Sequence, residues 1–166
     1  MTSSALDIKF CTFIRDVLEH PENLIYSGRC NKVQEDFETD YIVVDDLAAS
    51  QRVSGNITCA VDPDTGAEVQ NIANVYITTF TIDFYGENAY DNANRFVLLA
   101  RSQQAYELKK SLGIGVYQVS SIQDLKKLAG QQFGNRWQVT LKVEDSRSVN
   151  VETLTIEKLN ITTITD

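Results

Sequence analysis

The chain has 166 residues, a formal net charge of −8 and an isoelectric point of about 4.6, a length suited to one domain with its own core. Its apolar and charged fractions, 43% and 23%, are those of a soluble globular protein, and the acidic balance disfavours a groove that grips phosphates, which needs clustered cations to release counterions. No apolar run approaches the ~20 residues that span a bilayer, and Met1-Thr2-Ser3-Ser4 opens no basic segment followed by an apolar block, so no membrane partner or signal peptide is expected and the protein is expected in a cytoplasm.

In chain order, Ile8, Cys11, Ile14 and Leu18 recur at three- and four-residue intervals after Ser4, a helix-capping residue type. The spacing predicts an amphipathic helix over Ala5 to Glu19, ended by His20-Pro21. Asn23 to Asn31 reads as a short strand or irregular segment with a turn at Gly28, and Tyr41-Ile42-Val43-Val44 as a strand core. Val53, Gly55, Ile57, Cys59 and Val61 alternate along a further strand, Asp62-Pro63-Asp64-Thr65-Gly66 has turn chemistry, and a long strand returns from Glu68 to Tyr85. Both strands outlast the usual five or six residues, so a protruding hairpin with Pro63 near its tip is expected.

Within the returning strand, Tyr76, Thr78, Phe80, Ile82 and Phe84 share one face. Gly86 then breaks the strand, and Asn88 with Asp91 supplies an acceptor and a negative charge for the orphan amides of a new helix. Ala89 to Leu112 reads as one kinked helix or two abutting ones: Ala93, Phe96, Val97 and Ala100 form the first apolar face, and Ala105, Leu108 and Leu112 the second. Gly113 is placed to end it in the left-handed conformation. Val116 to Ser120 is a short strand, and Ile122 to Leu128 a connection with some helical spacing. Arg136 to Glu144 is a strand that turns Trp137, Val139, Leu141 and Val143 inward, and Thr153 to Ile164 is a further β-rich stretch whose phase slips near Lys158. This order implies a single α+β domain over residues 1–166, with the N-terminal helix and the helical pair packed on one face of a mixed or mainly antiparallel sheet.

Charge is uneven along the chain: residues 1–100 hold 16 acids against 6 bases, and residues 101–166 hold 7 against 9. The densest run is Glu35, Asp36, Glu38, Asp40, Asp45 and Asp46, with no Lys or Arg among them. A solvated face that maintains solubility is the plain reading. A repulsive lining along which DNA slides without sticking is the functional one.

Catalytic and metal signatures are sparse. His20 is the sole histidine, so any Ser/His/Asp or Cys/His device would have to use it, yet it sits before a proline at a helix end with no partner near it in sequence. Cys11, Cys30 and Cys59 lack zinc-ligand spacing and, being odd in number and far apart, read as reduced, buried thiols in a reducing compartment. Asp62, Asp64 and Gly66 sketch a calcium loop without its distal glutamate, and Pro63 suits a turn instead. Gly113-Ile114-Gly115 follows a helix and precedes a strand, the reverse of a dinucleotide fingerprint, and no Walker sequence occurs. No cofactor is expected.

The run Phe84-Tyr85-Gly86-Glu87-Asn88-Ala89-Tyr90-Asp91-Asn92-Ala93-Asn94-Arg95, then Leu112-Gly113-Ile114-Gly115-Val116-Tyr117 and Asn135-Arg136-Trp137-Gln138-Val139, in that order, resembles the neck or tail terminator proteins of tailed bacteriophages. The resemblance covers the second half of the chain. It implies a non-enzymatic structural protein of the virion, assembled in the host cytoplasm. Such a protein forms a homohexameric ring on the finished tail tube, stops its polymerisation and presents a surface to the head-side connector, while genomic DNA passes through the lumen without specific binding. The matching residues Tyr85, Gly86, Tyr90, Asp91, Arg95, Arg136 and Trp137 are read as structural, and Trp137 as core. Candidate subunit-interface residues are the hairpin tip, Asp62, Pro63, Asp64, Thr65 and Gly66; candidate lumen residues are Glu35, Asp36, Glu38 and Asp40. The alternatives are a tail tube or tail completion subunit, or, in a different class, a small nuclease with Mg²⁺ held by Asp45 or Asp46.

Overall fold

The computed structural model describes residues 5–28, 39–47, 51–61, 63–117, 119–125, 127–129 and 132–152. Helix α1 (Ala5–Leu18) leads through a 3₁₀ turn (Glu22–Leu24) into strands β1 (Ile25–Ser27), β2 (Tyr41–Asp46), β3 (Gln51–Val61) and β4 (Glu68–Tyr85). Helices α2 (Ala89–Leu99) and α3 (Gln103–Leu112) follow, then β5 (Ile114–Tyr117), β6 (Gln123–Asp124), β7 (Lys127–Ala129), β8 (Gln132–Gly134) and β9 (Arg136–Glu152). Among the described residues the main sheet has seven strands in the order β1-β2-β4-β9-β5, with β3 also on β4 and β6 also on β9; β7 and β8 pair separately. Among the described pairings only β1 on β2 is parallel, so the fold is α+β with a mixed, mostly antiparallel sheet, as the element order predicts.

Residue type explains which face is covered. Phe80, Ile82 and Phe84 of β4 lie opposite Leu141, Val139 and Trp137 of β9, and Ile42 and Val44 of β2 complete the same face. The three helices pack there, and Phe10, Phe13, Ile14, Phe96, Ile82, Leu141 and Val143 are fully buried. The α1 stripe differs from the expected one. Leu6, Phe10, Phe13, Ile14, Val17 and Leu18 point inward while Ile8 is 59% exposed. Two phenylalanines outweigh one isoleucine in apolar area, and the helix turns to set Phe10 against Phe80 (4.7 Å between ring centroids) and Phe13 edge-on to Phe96 (6.4 Å).

Other boundaries follow local chemistry. Helix α1 stops where Glu19 adopts φ 54° and His20 N–H donates to the Arg15 carbonyl. The stretch from Ala89 is two helices: Ser102 caps the second, its hydroxyl oxygen accepting from Ala105 N–H at 3.1 Å. Gly113 ends α3 in the left-handed conformation at φ 65°. The expected helical spacing of Ile122 to Leu128 gives way to strands β6 and β7, because β6 finds an open partner in β9 at Gln138 and Trp137. Trp137 is half-buried rather than core, packed against the core from its margin with Tyr90 across it (4.6 Å). The expected buried thiols are not so: Cys11 is half-buried against the core, and Cys59 is exposed because β3 carries it beyond the helix-covered core; the Ser4 cap, Cys30 and the β-rich stretch 153–164 lie outside the described residues.

Candidate assembly surfaces

The expected hairpin is present, but it has a third strand. β3 and β4 pair from Val61↔Glu68 to Gln51↔Ile77 with a register shift between Arg52 and Ser54, and β9 continues along β4's other side as far as Val69↔Glu152. Sequence alternation located the two strands joined by a turn; the third comes from a strand 17 residues long whose outer half carries polar Ser, Arg and Asn that mask the pattern.

The arm is two-faced. On the face continuous with the helix-covered side, Ile57, Ile72 and Val149 stand in one row, with Cys59, Gln70 and Val151 in the next. On the reverse face lie Asn56, Thr58, Asn71, Ser148 and Asn150, where the Asn71 amide donates to Asn150 Oδ1 at 2.6 Å. Ile57 and Val149 are 59% and 56% exposed, and Val61 and Val151 are exposed too. The helix-covered zone ends at a charged border: Lys9 of α1 reaches buried Asp145 at 3.5 Å, Arg147 meets the same carboxylate at 3.2 Å, and the Arg147 guanidinium lies over Tyr76. Beyond that border the apolar row continues uncovered. At the tip, Pro63, Asp64, Thr65 and Gly66 are exposed, and Gly66 has φ 71°; Asp62 lies outside the described residues.

The acid run divides. Glu35, Asp36 and Glu38 lie outside the described residues, whereas Asp40 is half-buried at the junction between β4 and α2. Tyr41 pairs with Tyr85, which brings Asp40 beside Gly86. The Asp40 carboxylate accepts from Asn88 N–H at 2.9 Å and from the Asn88 side-chain amide at 2.8 Å. Asn88 itself makes no side-chain cap bond. The acceptor expected from Asn88 is therefore supplied by an aspartate 48 residues away in sequence, a long-range contact that local spacing could not reveal. Asp45 and Asp46 pair with Thr81 and Phe80 respectively and face opposite sides of the sheet, an arrangement unlike a two-carboxylate metal site.

The residues that carry the family resemblance meet around this junction. Tyr85 stacks on Tyr41 at 4.5 Å, Arg95 approaches Glu19 at 3.8 Å, and Arg136 lies 5.7 Å from the Tyr85 ring centre. Arg136 also grips buried Asp83 through Nη2 (3.0 Å) and Nε (3.3 Å), with Gln138 donating to the same carboxylate at 2.9 Å. A buried carboxylate needs such donors to avoid a desolvation cost. His20 has its Nε2 buried without a hydrogen bond; burial pushes its pKa down, and nearby Asp40 partly opposes this. Among the described residues no group of three or more His, Cys, Asp or Glu could hold a metal, and no helix is long and apolar enough to cross a membrane.

The α+β body thus carries a three-stranded arm on which Ile57, Val61, Val149 and Val151 are exposed. The phage neck terminator protein family matches residues 12–166, nearly the whole chain, and the chain belongs to that family. This is a structural family of the phage virion, located at the neck, where its members meet other tail and head proteins. No curated protein matches the chain.

Proposed function

We propose that this chain forms a homohexameric ring that caps the finished tail tube, stops its polymerisation and joins it to the head-side connector, as one domain without catalytic activity, assembled in the host cytoplasm. Family membership supports the place of action, and the arm is the observation that carries the reading. Ile57, Val61, Val149 and Val151 of the arm are exposed in the single chain, with Ile72 half-buried among them, and such an area on a folded protein marks an interaction surface. Purified protein, alone and with isolated tail tubes, is expected to give six-fold rings by native mass spectrometry and negative-stain microscopy. Long self-polymerised tubes would identify a tail tube subunit instead, and a strict monomer with no tube binding would overturn the reading.

The tip residues Asp62, Pro63, Asp64, Thr65 and Gly66 are proposed to contact a neighbouring subunit or ring, and Glu35, Asp36, Glu38 and Asp40 to face the lumen. A channel that DNA crosses must not bind phosphates, because each neutralised phosphate adds counterion-release affinity. Asp40 also holds Asn88, so the lining is tested on the other three. Replacing Glu35, Asp36 and Glu38 with Lys is expected to leave rings intact and to slow DNA ejection, most strongly at low salt where screening is weakest. Normal ejection from correctly assembled mutant particles would return these acids to the outer rim.

A further inference from the structure

Helix α1 comes to an abrupt stop: Glu19 adopts φ 54°, His20 N–H donates to the Arg15 carbonyl, and Pro21 follows. This turn sets the His20 side chain against Asp40, at the entry to β2. The ring's Nε2 is buried and makes no hydrogen bond among the described residues, while the Asp40 backbone bonds the ring. A neutral imidazole with its proton on Nδ1 fits this setting, with one donor for the Asp40 carbonyl and a bare Nε2. Of the charged groups on the elements that meet here, Glu19 of α1 pairs with Arg95 of α2 at 3.8 Å, and Arg15 of α1 pairs with Asp16 and with Glu22 of the 3₁₀ turn. Glu87 and Asp91 are exposed at the start of α2. Asp40 is the charge that acts on the ring.

Asp40 has a second task. Its Oδ1 accepts from Asn88 N–H at 2.9 Å and its Oδ2 from the Asn88 side-chain amide at 2.8 Å, so both carboxylate oxygens are turned to the start of α2. Asn88 makes no side-chain cap bond of its own, and the chain passes so close at Gly86 that a Cβ there would meet Asp40 Cα at 2.6 Å. The residue that holds the start of α2 is thus also the residue that faces His20. Protonating the ring places a charge and a second N–H at a buried atom, which is costly unless an acceptor comes to it. The Asp40 carboxylate is drawn to that charge. A carboxylate drawn to His20 leaves Asn88, whose N–H then loses its acceptor at the helix start.

We propose that His20 and Asp40 form a proton-operated latch on the β4–α2 junction: with His20 neutral, Asp40 clamps Asn88 and holds the first turn of α2, and protonation of His20 releases that clamp. What the latch frees is a helix with exposed Tyr90 and Leu98 on its outer side. The device is internal to one chain and holds whether or not copies form rings. Burial, partly opposed by Asp40, keeps the ring below the ordinary histidine value. The stability it carries is therefore complete above the unfolded value of about 6.5 and is lost as the pH falls below that value toward the folded one.

His20 is the sole histidine, so the full-length protein labelled with ¹³C at histidine Cε1 gives one assignable ring signal. Followed by NMR from about pH 8 to about pH 5, it is expected to titrate below the ~6.5 of an exposed histidine. In Asp40→Asn, which removes the charge that favours the imidazolium, it is expected to titrate lower still. Hydrogen exchange read by mass spectrometry supplies the second arm. Protection of residues 86–93 is expected to fall severalfold between about pH 7 and about pH 5.5, up to about tenfold, the most that one proton gives per pH unit. In His20→Gln it should stay level over the same range. A ring that titrates at 6.5 or above, an unchanged titration in Asp40→Asn, or wild-type protection of 86–93 that is independent of pH would each overturn the latch. So would the same fall in His20→Gln, which would assign it to another group, or an equal fall in every peptide, which would make it global unfolding.

Discussion

Gly86→Ala is expected to lower the stability of the folded chain by about 2–4 kcal/mol, through a strained backbone and a forced shift of neighbouring chain. Gly86 has φ 102°, where an L side chain is strained. A Cβ there would lie 2.6 Å from Asp40 Cα and 2.7 Å from the Thr39 carbonyl oxygen, and would also meet Asp40 Oδ1. Two of these three obstacles are backbone, so no rotamer change relieves them. For a domain of this size the loss corresponds to a melting temperature lower by roughly 10 °C. The same substitution in an Asp40→Ala background is expected to cost nearly as much, because the backbone contacts persist. A fall of less than about 2 °C in the single variant would mean that β2 shifts freely at Asp40, and that the β4–α2 junction is not fixed by close approach.

This junction also marks how far the sequence could be read. The break at Gly86, the helix beginning at Ala89 and the inward row Val139, Leu141 and Val143 were legible because glycine, helix spacing and strand alternation are local signals. Asp40 holding Asn88, and Arg136 holding Asp83, were not legible: each joins elements far apart in the chain, and spacing carries no information about such pairs. Of the expected α1 stripe, Ile14 and Leu18 are buried and Cys11 packs against the core; Ile8 was misjudged, because it fits helix periodicity as well as Phe10 and Phe13 do. What the helix packs against decided between them. At the candidate surfaces, turn chemistry located the tip, and strand length suggested that it protrudes. The third strand and the uncovered apolar row depend on how β9 registers on β4 over 17 pairs, a property of two distant segments together.

The arm tip offers the largest separation between folding and assembly. Val61↔Glu68 is the last pair of the β3–β4 ladder, so residues 62–67 can be replaced by Asn-Gly, a two-residue connection suited to the twist of antiparallel strands. Among the described residues removed, Pro63 to Gly66 are exposed, and the bond from Ala67 N–H to Thr65 Oγ1 is local. The shortened protein is therefore expected to melt within about 0.5 kcal/mol of wild type, as surface changes away from structural features do. It is also expected to fail to cap tail tubes and to yield no infectious particles when it is the sole source of this protein. Ile57, Ile72 and Val149 remain in place, so contacts between copies through the arm face should survive. Rings that form but no longer bind tubes would assign the tip to the neighbouring ring, whereas loss of the rings themselves would assign it to the adjacent subunit. Wild-type infectivity would reduce the tip to a tolerated surface loop, leaving the uncovered apolar face as the only part of the arm that assembly requires.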